Sequence, residues 1–195
     1  HSGKGSASRP LVNRLFEIDP IGPVSLWGAG AQEVLEGRFE PGLEAFAKAQ
    51  QMEGENPLFL YLRAKTLAYA GRNDEALKLF DQLAKQLPQT IWAMLGSFFS
   101  AALQNKKAEA MRSVTEELKA LARSDEFFPI WMAESYALID EKIEAINWLE
   151  QGIKWGFINY PFLVQHDRFL VKLHGDERFQ KLMERVKKEW EEFEV

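Results

Sequence analysis

Gly71-Arg72-Asn73-Asp74-Glu75-Ala76-Leu77-Lys78-Leu79-Phe80, closed eight residues later by Pro88, is the stretch on which the fold turns. A glycine ahead of a polar, acidic run marks a tight turn entering a helix, because Gly takes positive φ without cost and acids suit a first helical turn. Ala76, Leu79, Phe80 and Leu83 then follow the i, i+3, i+4, i+7 spacing of one helical face. The same marks recur 34 residues to either side. Gly37, Gly71 and Asn105 form one column; Phe46, Phe80 and Val114 a second; Leu43, Leu77 and Met111 a third. Pro20, Gly54 and Pro88 form a fourth, and Pro23, Pro57 and Ile91 a fifth.

Each column has a physical role. Gly and Asn are the residues that best tolerate the left-handed backbone of a short turn. Pro and Gly both stop a helix at its exit. Pro23 and Pro57 suit the first position of the next helix, and Asn56 and Thr90 are N-cap residues ahead of residues 57 and 91. Leu43, Phe46, Ala47 and Gln50 repeat the helical spacing, and no β-branched alternation competes with it. The chain therefore reads as all-α, each unit being helix, tight turn, helix, exit turn.

A 34-residue helix–turn–helix unit with Gly71, Ala76, Phe80 and Pro88 in these places resembles the tetratricopeptide repeat (TPR) family. Residues 57–90 carry the pattern best. Residues 23–56 match at Gly30, Gly37, Phe46 and Ala49, with Gly42 and Gly54 as departures. Residues 91–124 match at Ala101 and Ala110, with Asn105 at the turn and Val114 for the aromatic. Residues 126–157 match at Ala133, Tyr136, Ala145 and Leu149, with Asp140 at the turn. Residues 11–20 resemble the tail of a preceding repeat. The resemblance implies a right-handed α-α superhelix of about four repeats over residues 11–157, closed by capping helices in residues 158–195. Phe179, Met183, Val186, Trp190 and Phe193 form the apolar stripe expected of a terminal cap. The closing run also resembles the end of repeat regions in bacterial multidomain signalling and regulatory proteins, which implies a piece of such a protein. Residues 1–10 lack an apolar core and read as a disordered leader or as residues appended to the natural chain.

Composition narrows the function. In 195 residues, 46% are apolar and 27% charged, the usage of a folded protein. Without cysteine there is no disulfide framework, thiolate zinc site or cysteine nucleophile. His1, His166 and His174 are the only histidines. The formal charge of −5 argues against a nucleic-acid partner, and no apolar run reaches membrane-spanning length. The expected setting is cytoplasmic, with the periplasm as the alternative.

The resemblance places the first helix of each unit on a concave face, where the inward residues include Val24, Trp27, Gly28 and Ala31, then Leu58, Tyr61, Leu62 and Lys65. Trp92, Leu95, Gly96 and Phe99 follow, then Phe127, Ile130, Trp131 and Glu134. This reads as an apolar groove for a peptide or helix, with Trp27, Tyr61, Trp92, Phe99 and Trp131 as anchors and Lys65 and Glu134 orienting the ligand. Two other coverings stay open: tight packing of the face on the chain's own C-terminal part, and a second copy of the chain. The basic carboxylate clamp of chaperone-tail binders is unmatched, Lys65 alone being basic among the inward residues. Arg63 is expected to snorkel and pair with an acid.

No catalytic motif occurs. His166 and Asp167 are adjacent and so do not face each other on a helix, and Asp167 reads as a helix cap. Glu116-Glu117 and Glu191-Glu192 read as solvated faces. The expectation is a non-enzymatic protein-interaction scaffold, without catalytic residues, cofactor or metal. The alternatives are a self-assembling homo-oligomer unit and, behind it, an enzyme built on His166.

Overall fold

The computed structural model describes residues 14, 17–19, 22–54 and 56–193. The leader 1–10, most of the partial leading helix 11–20 and Pro20 of the exit column lie outside the described residues. Among those described the chain is all-α, and its helices pack in consecutive pairs.

The first pair is α1 (Pro23–Leu35) with α2 (Phe39–Glu53), and the second is α3 (Pro57–Tyr69) with α4 (Asn73–Gln86). The third joins α5 (Ile91–Leu103) to α6 (Lys107–Ser113) and α7 (Glu116–Leu121). The fourth is α8 (Phe127–Leu138) with α9 (Lys142–Lys154), and α10 (Glu177–Glu192) closes the chain. Between α9 and α10 lie a π-helical turn, Phe162–His166, and a 3₁₀ turn, Val171–Leu173.

The repeating marks sit where their chemistry requires. The turn column has positive φ throughout: 76° at Gly37, 81° at Gly71 and 57° at Asn105, with Asp140 of the fourth pair at 63°. Pro23 and Pro57 open α1 and α3, while the Asn56 and Thr90 side chains accept from the backbone N–H groups of Leu58 and Ala93. Gly30 lies under Phe46, where an added Cβ would come within 2.5 Å of the ring, so an α2 side chain packs directly on the α1 backbone.

The third pair differs from the single second helix that its spacing predicts. The helix breaks at Val114 and restarts at Thr115, whose hydroxyl accepts from the Leu118 N–H. Ser113 donates its hydroxyl to the Ala110 carbonyl at 2.7 Å. Hydroxyl side chains on both sides of the β-branched Val114 offer the backbone local partners, and the helix yields to them.

The first helices of the pairs stack as one layer, α3 on α5 and α5 on α8. Curvature is tight enough for α3 to reach α8 directly: the rings of Tyr61 and Trp131 are 4.9 Å apart. Asp176 caps α10 by accepting from Arg178 and Phe179, and the helix packs its Phe179, Leu182, Met183 and Val186 face against α9. The C-terminal stripe thus covers the last pair and leaves the concave layer to other residues.

Candidate functional site

Those other residues are 157–173, a strap that crosses the C-terminal ends of the inner helices. Asn159 is fully buried; its amide donates to the Leu35 carbonyl of α1 at 3.4 Å and its oxygen accepts from the Phe162 N–H. His166 lies over Gly37, and Arg168 lies over Gly71, so the two turn glycines leave room for strap side chains. Lys172 donates to the Leu138 carbonyl at the end of α8. Phe157, Phe162, Leu163, Phe169, Leu170 and Leu173 are buried beneath. Each such burial removes apolar surface worth about 1.5–3 kcal/mol from water.

Beneath the strap is a buried ionic cluster. Lys65 of α3 pairs with Glu134 of α8, and both side chains are essentially without solvent contact. Tyr69 donates its hydroxyl to the other Glu134 oxygen at 2.5 Å. The Lys65 ammonium lies 3.6 Å from the Phe99 ring centre, 4.9 Å from Tyr69 and 5.0 Å from Phe169, so aromatic faces supply what water would elsewhere. Burial lowers the Lys65 pKa against the pull of Glu134. Asp167 of the strap joins the cluster. Burial, with the Glu134 charge beside it, pushes its carboxyl well above the usual carboxylate range. One of its oxygens accepts from the Phe169 N–H at 2.9 Å, and the other is buried without a hydrogen-bond partner among the described residues. Burial also raises Tyr61 and Tyr69, so both phenols stay protonated.

Above the cluster the inner layer opens into a pocket of about 260 Å³. One wall is Trp27, Ala31 and Leu35 of α1, and another is Leu58 and Leu62 of α3. Trp92 of α5 and Phe127, Phe128 and Trp131 of α8 complete it, and Phe157 and Phe162 of the strap line it too, Phe157 against Phe127. Trp27, Trp92 and Trp131 are half-buried, whereas Phe46 and Ile130 at the back are buried. Asp125, just ahead of α8, is the one acid on the pocket wall among the described residues; its oxygen accepts from the Phe127 N–H at 2.7 Å, and burial raises its pKa.

The residues singled out from the sequence divide accordingly. Trp27, Trp92 and Trp131 line the pocket together. Tyr61 and Phe99 are fully buried in the aromatic packing between α3, α5 and α8. Lys65 and Glu134 are committed to each other, since two opposite charges withdrawn from water keep their charge by pairing. Orienting a ligand is therefore closed to them as they stand. Val24, expected on the inward face, is exposed at 67%. Arg63 donates to the Gln50 side-chain oxygen at 2.5 Å, a neutral partner where an acid was expected. His166 is half-buried, and His174 is exposed with its ring stacked on Phe179. Glu116 and Glu117 are exposed in the first turn of α7.

Sequence reasoning missed Asn159, Asp167 and Asp125 as site residues. The signal for Asn159 was there, a single strongly polar residue inside the apolar run 157–164, whereas Asp167 stands in the polar stretch 165–168 that reads as surface. Among the described residues no group of three His, Asp or Glu could hold a metal ion, and no helix is long and apolar enough to cross a membrane. The chain matches no protein-family model and no curated protein.

Proposed function

We propose that this chain is a non-enzymatic helical-repeat module for protein–protein interaction, receiving a peptide or helix from a partner on its inner face. The observation that carries the reading is the half-open pocket, in which three tryptophans from three different repeats keep partial exposure beside an otherwise filled concave layer. Aromatic side chains held at such a place are the usual anchors of protein recognition. The 34-residue register and the paired helices support membership in the TPR family, and the closing run supports an origin in a bacterial regulatory protein. A cysteine-free acidic chain fits the cytoplasm, with the periplasm as the alternative.

The test is selection from a random 16-residue peptide display library on the immobilised full chain. Peptides whose capture is lost on Trp27→Ala, with the helical circular dichroism unchanged, support the proposal. Capture indifferent to Trp27→Ala and Trp92→Ala would overturn it. Self-assembly is the competing reading, favoured by the exposed Ile143 and Trp155 of the last repeat, at 69% and 52%. A sedimentation profile that stays monomeric at all concentrations counts against that one.

A further inference from the structure

We propose that the pocket takes one bulky apolar side chain of a partner segment and that Asp125 selects a basic side chain next to it, so that the partner is a basic amphipathic peptide. This rests on the interaction reading above and deepens it.

Size sets the first term. A helix with its side chains is about 10–12 Å across, so a pocket of about 260 Å³ admits side chains and excludes the helix itself. Phe162 of the strap closes the C-terminal end of α3 by packing on Tyr69, and Phe157 lies against Phe127, so the open side is the one lined by the half-buried Trp27 and Trp92.

Chemistry sets the second. Apart from Asp125, the polar groups on the wall are already engaged. Lys65 pairs with Glu134, Tyr69 donates to Glu134, and the Thr66 hydroxyl donates to the Leu62 carbonyl at 2.7 Å. Among the described residues those deep polar groups are already committed to one another, so an entering polar tip would lose hydration for little replacement. An aliphatic or aromatic side chain incurs no such loss.

Charge sets the third. Asp125 stands among aromatic side chains, and withdrawal from water makes its ionised form costly, as its raised pKa shows. An arriving ammonium or guanidinium relieves that cost, whereas an arriving carboxylate adds to it. The net charge of −5 favours the approach of a basic segment over an acidic one.

The peptides selected above supply the probe. The expected sequences carry one bulky apolar residue with Lys or Arg three or four residues away. Ala in place of the apolar residue weakens binding about thirtyfold or more, and Gln in place of the basic residue weakens it about tenfold. Asp125→Asn keeps an oxygen to cap α8, costs basic peptides about the same tenfold, and removes the further effect of the Gln change. Leu62→Trp fills the pocket and blocks binding; the Ala change on the peptide reads the same contact with the protein unaltered.

Peptides bound with equal affinity by the parent, Asp125→Asn and Leu62→Trp would overturn the inference while leaving the interaction reading in place. Selection of acidic neighbours would do the same. A dimer that Leu62→Trp dissociates would give the pocket to a second copy and overturn it too. Recovery of no peptide at all would remove both readings together.

Discussion

Lys65 and Glu134, 69 residues apart in the chain, form a buried ion pair that joins the second helix pair to the fourth across α5. Neither charge has water to return to, so each depends on the other. Phe99 beneath and Asp167 above complete the enclosure.

Removing one partner should therefore cost far more than removing both. Glu134→Leu or Lys65→Met alone leaves one charge buried without its partner, and each is expected to destabilise by about 3–5 kcal/mol. The Lys65→Met, Glu134→Leu double variant replaces the pair by apolar volume and is expected to cost much less than the two single changes together. Urea unfolding of the four chains checks this. Simple additivity would mean that the two residues are not coupled.

Asp167 should give the protein a pH dependence of definite sign. Its pKa is raised in the native state, against about 3.9 when unfolded. Below about pH 4 both states hold the proton and the stabilising contribution is complete. As pH climbs towards the raised native value, the unfolded chain loses its proton first and stability falls. Lys65, lowered in the native state, acts in the opposite sense and at higher pH, below about 10.4. Asp167→Asn keeps the acceptor for the Phe169 N–H and removes the titration. The melting temperature of the variant minus that of the parent should therefore rise as pH climbs above about 4. A difference that stays level across that range would rule out a proton on Asp167.

The strap should open when its first tie is cut. Asn159→Ala deletes the bonds to the Leu35 carbonyl and the Phe162 N–H from a buried site, at a cost of about 1–3 kcal/mol. Native-state proteolysis should then cleave within residues 157–173 well before the helix pairs unfold. Cleavage that begins elsewhere, at the parent's rate, would show that the strap is not held in this way.

The turn column offers a gain as well as a loss. Asp140 holds φ at 63°, which a side chain disfavours, and Asp140→Gly is expected to stabilise by about 0.5–1 kcal/mol. Gly37→Val should do harm twice, through φ of 76° and through a Cβ placed 2.5 Å from the His166 ring. Thermal melts of both variants decide the point; a shift of the same sign in both would count against it.

The repeat itself was legible in the sequence, because its signals are local. Gly37, Gly71 and Asn105 announce left-handed turns, Pro23 and Pro57 announce helix starts, and the i, i+3, i+4 spacing announces buried faces within one helix. The break at Val114 was also written locally, in Ser113 and Thr115, but in weak side-chain bonds that a spacing pattern overlooks. Trp27, Trp92 and Trp131 could be placed on the inner layer because the resemblance to a repeat family assigns the first helix of each unit to that face.

Only the tertiary structure decided what that layer became. How sharply the pairs curve depends on the summed fit of many contacts, and that curvature brings Tyr61 to Trp131 and Lys65 to Glu134. The path of the strap depends on the space left over two glycine turns and on where buried Asn159 and Asp167 find partners. Helical periodicity carries the direction of each side chain from its own helix axis; it carries no distance to a helix 69 residues away.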